Sequence, residues 1–213
     1  MNSTTKLKRL DPLPIEFNEE AHSYRWLPTG EVMGTSVTQV LSINKTAAQL
    51  ANIEKHKASW APRGIHVHAA IEHKLKGLPF ELEFAYAAWT EPLLNHWFWD
   101  TFEPIAIEHR MCDLHRGIGG SCDMLGLDGL TGKLVLADIK SQSSDKYGTY
   151  STDAQMGGYL SMLLDHHQIA VDECLTVWAR PGRCLVGDPQ DPDECLEAWE
   201  QTYDAWEVLQ EEI

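Results

Sequence analysis

The segment from Gly117 to Ser141 constrains this chain's fold more than any other stretch. Two runs of strand-forming residues, Gly119 to Leu127 and Leu134 to Ile139, flank the turn Asp128-Gly129-Leu130-Thr131-Gly132. That pattern predicts an antiparallel hairpin. If Asp128 pairs with Lys133 across the turn, the register carries Asp123 opposite Asp138, on one face with Cβ atoms about 5 Å apart. Lys140, two residues further on, projects from the same face. Carboxylates that close repel by about 3 kcal/mol at an effective dielectric of about 20. A divalent cation, a shared proton or an intervening basic group would relieve them. A hard cation such as Mg²⁺ takes one or two carboxylates and leaves its other positions to water and substrate phosphate. It would polarise a phosphoryl oxygen and acidify a bound water. Lys140 is then placed to orient that water or to offset charge on the phosphorus oxygens. The plainer reading makes Asp123 a surface residue near a turn and Asp138-Ile139-Lys140 an exposed strand end. A one-residue bulge would cancel the pairing.

Around this hairpin the chain alternates between helical and strand patterns. Phe17 to Met33 reads as a short hairpin, with His22, Tyr24 and Trp26 alternating and Pro28-Thr29-Gly30 as its turn. Ser36 or Thr38 caps a helix containing Val37, Val40 and Leu41, and Thr46 to Lys57 continues as helix. Pro62 opens a helix running to about Lys76, ended by Gly77-Leu78-Pro79. Phe84 to Phe98 is helical. Ile105, Ile107 and Met111 mark a strand, and Thr152 to Leu164 a helix. Leu175 to Ala179 and Cys184 to Val186 form a strand pair around Arg180-Pro181-Gly182-Arg183. From Pro192 a helix places Leu196, Trp199, Tyr203, Trp206 and Ile213 on one face, an aromatic stripe assigned to core. The order predicts an α/β (α+β) fold with a central mixed β-sheet flanked by helices. One domain over 1–213 is expected: an N-terminal hairpin and helices over 1–60, a core over 61–187, and an acidic helix over 188–213.

Charge sets limits on partners. The chain carries a formal net charge of −15, which is unusual for a nucleic-acid binder. The charge is uneven, however. Residues 1–66 hold 8 basic and 6 acidic side chains, whereas residues 165–213 hold 2 and 13. A surface meeting a phosphate backbone would therefore use the N-terminal third and the middle, with the acidic helix turned away. Cys112, Cys122, Cys174, Cys184 and Cys195 are scattered, with no Cys-x-x-Cys spacing, so buried or inert thiols are expected rather than disulfides or structural zinc. No apolar run approaches membrane-spanning length. The basic, polar stretch Met1 to Leu10 has no apolar run behind it, so no secretory signal is read there and a cytoplasmic location is the expectation.

Gly120-Ser121-Cys122-Asp123, Asp138-Ile139-Lys140 and Gln155-Met156-Gly157-Gly158-Tyr159 resemble the Gly-x-x-Asp, Asp-x-Lys and Gln-x-x-x-Tyr series of PD-(D/E)xK nucleases. The likeness is to the subgroup holding the RecB nuclease domain and the mitochondrial genome maintenance exonuclease. Arg63 to Glu72 is similar to that subgroup's Gly-x-x-x-His-x-x-Ile-Glu helix, and His22-Tyr24-Trp26 followed by Ser36 to Leu41 is similar to the opening of its mitochondrial-type members. The resemblance covers roughly residues 20–165 and implies a restriction-endonuclease-like core. It implies Asp123, Asp138, the Ile139 backbone carbonyl and His68 as ligands of Mg²⁺ or Mn²⁺, with Glu108 matching an acidic position less closely. It implies Lys140 as the catalytic lysine, with Gln155 and Tyr159 steadying the lysine or the DNA. Glu72, four residues past His68, would hold its ring. His66, on another helix face, ranks below His68. Cys122 replaces the proline of the family name, and the late cysteines do not match the four-cysteine cluster of some relatives, so no iron–sulfur cluster is expected.

The implied activity is a metal-dependent DNA exonuclease that hydrolyses phosphodiester bonds, from single-stranded or free ends, with Trp26 or Trp60 as base platforms. A recombination or replication protein is a further expected partner, and a membrane is not. Two alternatives stay open: a nuclease-fold protein that binds a partner without cutting, which the acidic charge favours, and a structure-specific endonuclease.

Overall fold

The computed structural model describes residues 8–144, 146 and 148–211. The elements run β1 (Ile15–Asn18), β2 (Ser23–Trp26), β3 (Glu31–Val32), β4 (Thr35–Ser36), α1 (Val37–Val40), α2 (Ala47–Lys55), α3 (Lys57–Lys76), α4 (Ala87–Leu94), α5 (Phe98–Thr101), β5 (Phe102–Asp113), β6 (Ile118–Asp128), β7 (Leu134–Ser141), α6 (Asp153–His167), β8 (Glu173–Arg180), β9 (Arg183–Val186) and α7 (Pro192–Glu211). The architecture is α/β, with a central mixed sheet between helices. β6 pairs antiparallel with β5 along one edge; its other edge meets β4 in parallel at Ile118–Gly119 and β7 antiparallel at Met124–Leu127. β7 continues in parallel to β8, and β8 antiparallel to β9.

Local chemistry explains most boundaries. Ser36 starts α1 through a reciprocal cap with Gln39, and Thr46 starts α2 in the same way with Gln49. Gly77 ends α3 in the left-handed region at φ 68°, where a Cβ would be strained. The Asp128 turn closes as the sequence implies, with Asp128 N–H donating to Lys133 O at 2.9 Å. Three expectations are corrected. The N-terminal hairpin is a three-stranded meander, because His22 lies at φ 47° in the β1–β2 turn rather than in a strand. Pro62 does not open α3, which begins at Lys57; Pro62 sits inside it and only leaves the Ala58 carbonyl without its helical donor. The Phe84 to Phe98 stretch is broken at Asn95, with α5 resuming after it.

Two apolar layers fill the faces of the sheet. One joins Leu125 and Leu136 to Met156, Leu160 and Leu163 of α6 and to Trp199 and Tyr203 of α7. The other joins Met124, Val135 and Ile139 to Val67 and Ile71 of α3, Leu93 of α4 and Phe98 and Trp99 of α5. The aromatic stripe of α7 is core as expected, apart from Ile213, which lies outside the described residues. Four of the five thiols, Cys112, Cys122, Cys174 and Cys195, are buried and Cys184 is partly so. Among the described residues no helix is long and apolar enough to cross a membrane.

α7 approaches α6 closely because Gly157 carries no side chain. A Cβ there would lie 2.0 Å from Cys195 O and 2.7 Å from Trp199 Cβ. Backbone cannot yield that far without separating the helices. Gly157→Ala should therefore cost at least about 2–3 kcal/mol, the scale of core overpacking. Gly34→Ala, with nothing within 4 Å of the added methyl, should shift the urea midpoint little. Equal midpoints for the two variants would refute the close-packed crossing.

Candidate metal and phosphoryl-transfer site

Past Met124 and Ala137 the hairpin ladder stops and β6 and β7 part. β4 has filled only the far end of that edge, so residues 120–123 of β6 have no strand partner on this side. The register is the one the turn dictates, but the Asp123–Asp138 pair itself does not form. Asp123 reaches instead one residue further along β7, where its Oδ2 accepts the Ile139 N–H at 2.6 Å. The Ile139 carbonyl accepts from His68 Nε2 at 3.1 Å. Side chains thus satisfy both backbone groups that the departing strand leaves behind, as a buried peptide requires.

On its other edge β6 meets a second irregularity. Ile107 pairs with Met124 and His109 with Cys122, but Glu108, between them, is skipped and holds φ 49°. A non-glycine residue in that region is uncommon and costs of order 1–3 kcal/mol. Around it the strand loses its strict alternation: Cys122 and Leu125 pack toward α6 and α7, whereas Met124 packs toward α3–α5. Glu108 Oε1 lies 3.5 Å and Asp123 Oδ1 3.4 Å from His68 Nδ1. Ligand atoms of His68, Glu108 and Asp123 lie within 4.8 Å of one another. Opposite donors on an octahedral ion lie roughly 4.2 Å apart, so a contraction of a few tenths of an ångström would close the three on one cation. Two carboxylates and an imidazole are a donor set for a hard or borderline divalent ion, with the nitrogen favouring Mn²⁺ over Mg²⁺. The Ile139 carbonyl, expected as a ligand, instead meets the ring's other nitrogen, facing away from the two carboxylates.

Asp138 is expected in this group, but it stands in an adjoining one. Its Oδ1 accepts from Gln155 Nε2 at 2.9 Å and its Oδ2 lies 2.6 Å from Lys140 Nζ. Gln155 also donates to the Tyr159 hydroxyl at 3.0 Å, so Gln155 and Tyr159 steady Asp138 rather than the lysine. Glu72 does not hold the His68 ring. It pairs with Lys76, one helical turn on, and the ring is held by Ile139 O and the two carboxylates. His66, ranked lower, lies buried between Phe80 and Tyr86. Trp60 recurs on the Gly64–His68 side of α3, but Trp26 does not reach the site. Trp26 stacks on His166, eleven residues along α6 from Gln155, or about 16 Å.

The two groups share one electrostatic field. Burial opposes protonation of His68, but Asp123 and Glu108 outweigh it and hold the ring well above its usual pKa. Burial raises the carboxyl of Asp138 to about 6; Lys140 pulls it down and Asp123 pushes it up. Burial alone would lower Lys140, yet Asp138 and Asp123 keep its ammonium charged. Of the three ways to relieve paired acids, the protein by itself therefore uses basic neighbours, His68 beside Asp123 and Lys140 beside Asp138. Lys45 and Tyr150, which no sequence pattern marks, both lie within the field of Lys140. They come from loops, and only the fold brings them near.

His68 sets a sign for stability against pH. Its folded pKa lies above the free value of 6.5, so its stabilisation is complete below pH 6.5 and is lost as pH rises through the folded pKa. His96, His109 and His167 are shifted downward by burial, so their unfolded forms bind more protons and stability rises with pH from them until about pH 7.5. In chelator-treated protein the melting temperature should fall between about pH 7 and 8, and His68→Gln should abolish that fall. A wild-type curve flat over this interval would contradict the ion-paired ring.

No family model matches the sequence, and no curated protein matches it. Among solved structures, one described as the crystal structure of SSO0001 is similar over 79% of this chain and 74% of its own, at 20% identity and a TM-score of 0.39. A likeness that loose says nothing of activity, so the functional reading stands on the chain's own residues.

Proposed function

We propose that the protein is a divalent-metal-dependent DNA nuclease, acting as an exonuclease on single-stranded or free ends. The observation that carries this reading is the convergence of His68, Glu108 and Asp123 beside a charged, partly buried Lys140. The strained Glu108 adds to it, since a protein needing only a sheet has no use for that conformation. His68 through Nδ1, Glu108 and Asp123 would hold Mg²⁺ or Mn²⁺, with the Ile139 carbonyl orienting the ring from Nε2. Such an ion supplies Lewis-acid polarisation of a phosphoryl oxygen and an acidified water. Lys140 Nζ, fixed against Asp138 Oδ2, would hydrogen-bond the attacking water or a non-bridging phosphate oxygen. Asp138 keeps that amine positioned, and Gln155 and Tyr159 keep Asp138 in place.

A surface for DNA lies next to the site. Every residue from 44 to 60 is exposed, although most of this stretch is helical, and it carries Lys45, Lys55 and Lys57 against Glu54. In a chain of −15 this local positive excess suits a phosphate backbone, and Trp60 gives it a stacking face. The stretch leads directly into the helix bearing His68.

Labelled linear oligonucleotides should be digested with Mn²⁺ or Mg²⁺ and spared in chelator. Lys140→Ala should lose about 10²–10³-fold in rate, the scale for removing one transition-state donor. A fully active Lys140→Ala protein would remove the mechanism, and cleavage of circular single strands would replace exonuclease with endonuclease. Mn²⁺ at a hundredfold over its Kd should stabilise wild type by about 2.7 kcal/mol. Asp123→Asn should abolish that gain.

A further inference from the structure

A second cavity shares a wall with this site. Its volume is about 340 Å³, and it lies between the N-terminal segment 9–15, the free edge of β5 from Ile105 to Arg110, and the last turn of α3 at Lys76. The segment is tied to β5 by the Leu10 N–H, which donates to Ile105 O at 2.9 Å. Glu108 belongs to both sites: its carboxylate turns to His68, and it also lines the cavity. The size falls within the range of small-ligand pockets.

The charge of the lining sets this cavity apart. Arg9, Lys76 and Arg110 converge on it in a protein with 32 acidic and 17 basic side chains. Lys76 is shared with Glu72. Arg9 makes no hydrogen bond or ion pair among the described residues. Arg110 has its guanidinium over the Phe17 ring at 5.4 Å and makes no ion pair with a carboxylate among the described residues. Acidic partners are plentiful here, so two arginines left without one around a concave surface imply an anion from outside. A planar guanidinium fork matches a phosphate bidentately. Leu10, Leu13 and Ile107 supply apolar wall for a ring or sugar.

We propose that this cavity binds a phosphate-bearing nucleotide: the phosphorylated end of the strand being cut, or the mononucleotide released from it. The inference rests on the nuclease reading for its substrate class, though not for its binding measurement. A cationic cavity sharing Glu108 with the site would seat a terminal phosphate beside it, which favours substrates with ends.

The test has two arms. In the first, metal-free full-length protein is titrated calorimetrically with deoxyadenosine 5′-monophosphate, inorganic phosphate and deoxyadenosine. The monophosphate should bind at least tenfold more tightly than the nucleoside, and Arg9→Gln and Arg110→Gln should each weaken it about tenfold. In the second, wild type and Arg110→Gln digest oligonucleotides bearing phosphate or hydroxyl at the 5′ or the 3′ end. Wild type should show a lower KM for the phosphorylated form of one end, and Arg110→Gln should erase the difference with kcat retained. Monophosphate binding without an end preference assigns the cavity to the released nucleotide; an end preference without it assigns the cavity to the strand terminus. Digestion that proceeds with neither effect overturns the cavity proposal and leaves the nuclease reading intact. Monophosphate binding in a protein that cuts no DNA overturns the nuclease reading alone.

Discussion

The carboxylate of Asp123 receiving the Ile139 N–H is the contact on which the rest of this site depends. Two strands that begin as a regular hairpin separate at that point, and a separating strand leaves peptide groups that must find partners. Asp123 takes the N–H and His68 takes the carbonyl, so the imidazole is drawn in beside two carboxylates. The ladder and the acid cluster are therefore not separate features. Ending the one supplies the anchoring points of the other.

This arrangement has an energetic cost within the protein itself. Glu108 holds a left-handed backbone in mid-strand, Asp138 is enclosed with a carboxyl raised to about 6, and Lys140 is kept charged only by its acidic neighbours. Each is tolerable because another offsets it. Removing one partner would leave a buried charge, which costs more than the pair contributes. Such mutual dependence of destabilised groups is expected where function, rather than folding, selects the residues.

The fold accommodates the site by keeping its rigid parts on both sides. α6 carries Gln155 and Tyr159 and is clamped to α7 through Gly157, whereas α3 carries His68 and packs through Val67 and Ile71 on the opposite face. The two groups of side chains thus come from opposite layers and meet only where the sheet opens. The negative charge that argues against nucleic acid is concentrated in the final third of the sequence, including α7, which meets the exposed basic stretch only at its start, where Asn44 donates to Thr202.

By itself the sequence determined most of the elements and the register of the hairpin from its turn as far as Met124 and Ala137. Turn chemistry at Asp128–Gly132, the cap at Ser36 and the aromatic stripe of α7 are short-range signals, and each appears in the structure where the residues imply. The tertiary structure alone decided where the register ends, which oxygen faces which nitrogen, and that Asp138 joins Lys140 and Gln155 while Glu108 joins His68 and Asp123. The physical reason is range. Alternation and turns act over a few residues, but strand divergence, a positive φ at Glu108 and the nearness of Lys45 and Tyr150 to Lys140 arise from packing between segments far apart in the chain.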